Sequence, residues 1–80
     1  MKIKVKYFAG LRDITGRETE TINVEHGITI SGLLSLLYKK YPEMKKTAEI
    51  IVAKNRQYVE ENERIEDGDE IALLPPVSGG

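Results

Sequence analysis

The sequence predicts an α+β fold, with a mixed sheet of four to five strands and one main helix packed across one face. Three observations carry that expectation. Apolar residues alternate with period two from Lys2 and again from Glu18, and two short continuous apolar runs follow at Ile50–Ala53 and Ile71–Leu74. A single stretch, Thr29 to about Tyr41, has the helical periodicity of an amphipathic segment long enough to cover a sheet. The 80 residues, 40% hydrophobic and 31% charged, have the composition of one globular domain.

The elements follow in order. Residues 2 to 8 place Lys2, Lys4 and Lys6 on one side and Ile3, Val5 and Tyr7 on the other, a half-buried strand with a solvated lysine face. Ala9 to Gly16 is a connection with room for one helical turn, which puts Leu11 and Ile14 underneath. Glu18 to Val24 forms the second arm of an antiparallel hairpin, with Ile22 and Val24 on its apolar side. Thr29 caps the helix, whose buried face carries Ile30, Leu33, Leu34, Leu37 and Tyr41. Lys39 and Lys40 suit the negative end of the helix dipole, and Pro42 stops propagation. Gly32 in the first turn allows close contact with the sheet. Ile50–Ala53 is an interior strand, Asn55-Arg56 a turn, and Gln57–Val59 a short strand. Asp67-Gly68 turns into the last strand, Ile71–Leu74, which is apolar throughout as a central strand should be.

Composition excludes several classes of function. A net charge of −1 offers no dedicated surface for nucleic acid or anionic membrane. No run approaches the ~20 apolar residues that span a bilayer. Met1-Lys2-Ile3 enters a strand pattern at once, so no secretory leader and a cytoplasmic location are expected. The absence of cysteine removes disulfides, thiolate metal sites and thiol nucleophiles, and with one histidine no metal site is expected. Gly27 and Gly32 have the spacing of a phosphate loop, but Leu33 and Leu34 stand where a lysine and a hydroxyl are required. His26 has no second acid or base nearby and reads as an exposed turn residue. The acidic run from Glu60 to Glu70 lacks the ligand pattern of a calcium loop; it reads as a solvated segment able to steer a basic partner.

The remaining feature is the end of the sequence, Pro75-Pro76-Val77-Ser78-Gly79-Gly80. Two prolines favour an extended exit from the sheet, and six residues reach roughly 20 Å. Gly79 and Gly80 carry no Cβ, so they fit a narrow channel and leave the terminal carbonyl open to a nucleophile. The group on offer is the α-carboxylate of Gly80. The expected organisation is a domain over residues 1–74 and an extended tail over 75–80.

The order of elements matches the β-grasp, or ubiquitin-like, fold. With the tail in view, the whole chain resembles the small, sulfur-carrier subunit of molybdopterin synthase, the MoaD type of the MoaD/ThiS family. The resemblance rests on Val5-Lys6-Tyr7-Phe8-Ala9, Arg12-Asp13, the Thr29-Ile30 helix start and Asn55. Above all it rests on Asp67-Gly68-Asp69-Glu70 leading through Leu73-Leu74 into Pro75-Pro76-Val77-Ser78-Gly79-Gly80. Leu73 and Leu74 stand where some members carry aromatic residues.

That resemblance implies a chemistry and a set of partners. A ubiquitin-activating-like adenylating enzyme uses ATP to convert the Gly80 carboxylate to an acyl-adenylate, and a sulfur donor displaces AMP to leave a thiocarboxylate. The tail then enters the large subunit of molybdopterin synthase, in a heterotetramer, and gives its sulfur to precursor Z to build the molybdopterin dithiolene. The chain is thereby a cosubstrate with no catalytic side chain and no stably bound cofactor. Pro75, Pro76, Val77 and Ser78 form the arm, Gly79 keeps its path open, and Leu73 or Leu74 with Phe8 are candidates for an apolar docking patch or for core. Three alternatives stand beside this reading: a carrier for another pathway such as thiamine synthesis, a ubiquitin-like modifier joined to lysines through Gly80, and a β-grasp interaction module with an inert tail.

Overall fold

Strand Glu70–Leu74 (β5) lies in the middle of the sheet, parallel to Lys2–Tyr7 (β1) on one side and antiparallel to Ile51–Lys54 (β3) on the other. The computed structural model describes residues 1–47 and 49–76. Thr19–Asn23 (β2) and Gln57–Tyr58 (β4) complete a five-stranded sheet in the order β2-β1-β5-β3-β4. A short helix, Gly10–Thr15 (α1), joins β1 to β2, and the long helix, Ile30–Lys40 (α2), crosses the sheet. The expected hairpin, the single dominant helix and the central last strand are all present, which is the β-grasp arrangement.

The core lies between α2 and one face of the sheet. Ile3, Val5 and Tyr7 of β1, Ile71 and Leu73 of β5 and Val52 of β3 meet Ile30, Leu33, Leu34 and Leu37 of α2. Each such side chain contributes on the order of 2 kcal/mol when fully buried, so α2 is held by its apolar stripe more than by its own propensity. Thr29 caps the helix as its spacing predicts, its Oγ1 accepting from Gly32 N–H at 3.2 Å. The helix ends one residue earlier than expected, and Tyr41 serves as its C-cap. Past Pro42 the chain does not leave helical structure at once, because a 3-10 helix, Pro42–Lys46, carries Met44 into the core. Gly32 has a different reason from the one expected. A Cβ there would come 2.9 Å from Ile28 Cγ1 in the preceding loop, so the close approach is to that loop and not to the sheet.

Several turns need left-handed backbone. Asn55 and Arg56 have φ of 50° and 72°, which makes the expected turn between β3 and β4, and Gly68 at 83° makes the turn into β5. One corner was not foreseen. Ala9 has φ 50° and ψ −127°, a conformation glycine favours, and Leu11 N–H closes this turn on the Phe8 carbonyl at 3.1 Å. This corner ends β1 at Tyr7, one residue short of the expected strand.

Candidate functional site

The last strand runs out at Leu74, on the edge of the sheet where β1 also ends and the antiparallel β3 begins. Phe8 N–H donates to the Leu73 carbonyl at 3.2 Å, which ties the corner after β1 to the penultimate residue of β5. Tyr7 sits opposite Leu73 in the parallel register, so Phe8 comes level with Leu74, and Leu74 in turn lies opposite Ile51. The next row across the sheet is Lys6, Ala72, Ala53 and Tyr58. Because side chains alternate across a strand, Leu73 and Ile71 face the helix while Leu74 and Ala72 face the opposite side, where no helix lies. Phe8 is 37% exposed and Tyr58 78% exposed.

Sequence reading left Leu73 and Leu74 open between docking patch and core, and the structure separates them. Leu73 has no exposed surface and belongs to the core; Leu74 is half-buried on the open face beside Phe8. Ile51 and Tyr58, which the sequence did not single out for docking, extend the same face because β3 lies beside β5 and β4 beside β3. That adjacency is a matter of strand order and has no local signal in the sequence. Pro75 is half-buried and Pro76 exposed at the root of the arm. Val77, Ser78, Gly79 and Gly80 lie outside the described residues.

At its other end β5 is fastened by polar contacts. Asn55 donates from Nδ2 to Asp69 Oδ1 at 2.9 Å, and its Oδ1 accepts from Glu70 N–H at 3.0 Å. Asp69 Oδ2 also accepts from Glu66 N–H at 2.7 Å, and Lys2 N–H donates to Asp67 Oδ1 at 2.8 Å. The acidic run is therefore only partly the solvated segment its composition suggests. Asp69 is buried, and Glu63 holds the Lys54 ammonium at 2.6 Å, which raises the lysine pKa. Glu60, Glu61 and Glu66 are exposed, as is His26.

The covered face hides one charge that the alternation of β2 did not reveal. Glu20 is 7% exposed on the same side as Ile22, opposite Val5. Its Oε1 accepts from Tyr7 Oη and Tyr41 Oη, each at 2.9 Å, and Oε2 pairs with the Lys40 ammonium. Burial pulls the Glu20 pKa upward, but the Lys40 ammonium and the two hydroxyls outweigh it and leave the carboxyl below its usual range. Burial, then the bond to Glu20, pushes the Tyr7 phenol well up, and the same carboxylate raises Lys40. The tyrosine rings meet edge to face, with centroids 6.1 Å apart. This network pins the C-terminal end of α2 to the hairpin. It holds no free acid or base.

Among the described residues no three His, Asp or Glu side chains come together as a metal site, and no side chain from Ile71 to Gly80 ionises. A β-grasp body with an apolar patch of Phe8 and Leu74 at the root of a side-chain-poor C-terminal segment places the chain among ubiquitin-like proteins. Comparison with known proteins narrows the class. The model of the ThiS family matches residues 5–80, and this chain belongs to that family of MoaD/ThiS β-grasp sulfur carriers. The molybdopterin synthase sulfur carrier subunit of Chlamydomonas reinhardtii is 36% identical over 83 residues, which covers 100% of both chains. Among solved structures, SAMP1 from Haloferax volcanii superposes with a TM-score of 0.86 at 29% identity over 100% of both chains. Similar too is a chain in the complex of subunits 1 and 2 of the molybdopterin-converting factor from Helicobacter pylori, with a TM-score of 0.72 at 27% identity over 100% of both chains.

Proposed function

We propose that the chain is the sulfur carrier of a molybdopterin synthase, with residues 75–80 as its reactive arm and Gly80 as the residue that bears the sulfur. The observation that carries this reading is the end-to-end match to sulfur carrier subunits of that synthase, tail included. A carboxylate resists nucleophiles because attack adds charge to an anionic group. A partner adenylating enzyme supplies the activation: a Gly80 carboxylate oxygen attacks the α-phosphorus of ATP and pyrophosphate leaves. A sulfur donor then attacks the acyl carbon and expels AMP, which leaves the thiocarboxylate. In the large subunit that sulfur passes to precursor Z for the dithiolene, and the carrier returns to the carboxylate form. No thiol is needed in the carrier, since the sulfur rides on the main chain.

In this scheme the body has two tasks. β5 gives the arm a rigid root, and the open face docks the body so that the arm enters a channel. Phe8 and Leu74, with Ile51 and Tyr58, supply the apolar contact; Pro75 and Pro76 aim the arm; Val77 and Ser78 line its path; Gly79 keeps it narrow. The complex with the large subunit is a heterotetramer in the cytoplasm, and ATP is consumed by the adenylating enzyme, with no cofactor held by the carrier.

Intact mass after incubation with the adenylating enzyme, ATP and a sulfur donor tests the reading. An oxygen-to-sulfur exchange confined to the C-terminal residue is expected, and deletion of Gly80 should abolish it while leaving thermal stability unchanged. Molybdopterin formation supported by the truncated chain would overturn the assignment. Remnants of this tail in isopeptide linkage to lysines of other proteins would place the chain with the modifiers that SAMP1 represents.

A further inference from the structure

The sheet order leaves β2 and β4 as edges, and β4 is only two residues long. β2 is longer, and its ladder with β1 runs on at both ends, from Tyr7 N–H to the Glu18 carbonyl and from Val24 N–H to the Met1 carbonyl. Those bonds set the phase of the ladder. Even-numbered residues of β2 bond to β1, so the N–H and C=O groups of Thr19, Thr21 and Asn23 point away from the sheet. The strand carries no proline, glycine or lysine to blunt this edge. An inward charge such as Glu20 opposes an added strand when it has no partner, but here Lys40, Tyr7 and Tyr41 already satisfy it.

We propose that this edge takes a second copy of the same chain, paired antiparallel with Thr21 opposite Thr21, so that two sheets become one. Register selects this arrangement among the two-fold ones. Centring on Glu20 sets two carboxylates directly opposite each other, and centring on Ile22 shortens the overlap and sets Thr19 opposite Glu25. Centring on Thr21 uses every outward group, with Thr19 against Asn23 at both ends. It also brings Arg17 of each copy opposite Glu25 of the other. Arg17 and Glu25 are both exposed, and neither has an ion-pair partner among the described residues. The seam is flanked by a notch in which Asn23 and Glu25 border the apolar Val24, Ile28, Gly32 and Leu36, the last 45% exposed. The two β5 strands then run in opposite directions, so their C-terminal ends lie at opposite edges of the joined sheet and the face bearing Phe8 and Leu74 is left uncovered in each copy.

A contact made mainly of strand edges is small, so the dimer is weak and concentration-dependent. Sedimentation equilibrium of the full chain, up to about 1 mM, tests it without any partner enzyme and so stands apart from the carrier reading. A monomer–dimer equilibrium is expected. Thr21→Pro removes an N–H that has no partner in the monomer, and should give a monomer with an unchanged circular dichroism spectrum. Arg17→Glu and Glu25→Arg should each weaken association roughly tenfold, since each reverses two cross-seam pairs, and together they should restore it. A monomer at every concentration, a dimer that survives Thr21→Pro, or a double charge swap that does not restore association would each overturn the proposal.

Discussion

The two sides of β5 differ by more than exposure. Its helix-facing residues, Ile71 and Leu73, are saturated by the chain's own core, and the nearest polar groups on that side, Glu20, Tyr7, Tyr41 and Lys40, satisfy one another. Its outward residues, Ala72 and Leu74, lie between Lys6 and Phe8 on one side and Ala53 and Ile51 on the other, with no helix over them among the described residues. The same strand thus spends one face on stability and leaves the other without a covering helix, which in the proposed function is the face that takes a partner. Neighbouring leucines in one strand should then answer to different assays.

Leu73→Ala should break the covered side, costing about 2–5 kcal/mol in denaturant unfolding, the range for an aliphatic side chain removed from a packed core. Leu74→Ala should cost under ~1 kcal/mol while weakening association with the large subunit, measured by calorimetry. Equal stability losses at the two positions would erase the distinction between the faces.

The next effect in size belongs to the buried carboxylate. Glu20→Gln keeps the shape but loses the charge that holds Lys40 and two tyrosine hydroxyls, and should cost about 1–3 kcal/mol at neutral pH. The sign of the pH dependence follows from its lowered pKa in the fold. Its stabilisation is complete above the unfolded glutamate value of ~4.3 and fades as pH falls through the lower folded value. The wild-type and Glu20→Gln unfolding curves should therefore draw together as the pH falls below about 4.3. At the alkaline end, Lys40, raised by the same pairing, gives stability that is lost as pH rises through its folded value.

The smallest effect concerns the corner between the two faces. Ala9 occupies a glycine-like conformation next to Phe8, so Ala9→Gly should relieve strain and raise stability by ~1 kcal/mol in thermal unfolding. If Phe8 is aimed by that strained corner, the same variant should weaken docking. A variant that is both more stable and equally well bound would assign the strain no part in docking.

Much of the covered face was legible in the sequence. Ile3, Val5 and Tyr7 alternate, Leu33, Leu34 and Leu37 recur at helical spacing, and Asp67-Gly68 announces a turn, because each is a local pattern with a local cause. What escaped detection depends on pieces distant in the chain. Glu20 sits between two threonines and reads as solvated until α2 brings Lys40 and Tyr41 over it. Ile51 and Tyr58 join Phe8 and Leu74 only once β5 has entered between β1 and β3. Ala9 gave no sign because the glycine that its backbone favours stands one place later, at Gly10, where no close contact requires it. Gly79 and Gly80 carry the proposed chemistry of the arm and lie outside the described residues, while the grouping of Ile51 and Tyr58 with Phe8 and Leu74 had no local signal, since a two-dimensional patch has no one-dimensional signature.

The place of β5 also sets the order in which the molecule can be completed. Lys4 pairs with Glu70 and Tyr7 with Leu73, so the first strand finds its central neighbour only after everything between has been synthesised. Until then β1 and β3 expose inner edges, and the core lacks Ile71 and Leu73. Contacts so far apart in sequence slow folding and leave half-made chains prone to association. They also act as a form of proofreading. The strand that closes the sheet is the one that carries the arm, so a body that has failed to fold cannot hold out a correctly rooted tail to an adenylating enzyme.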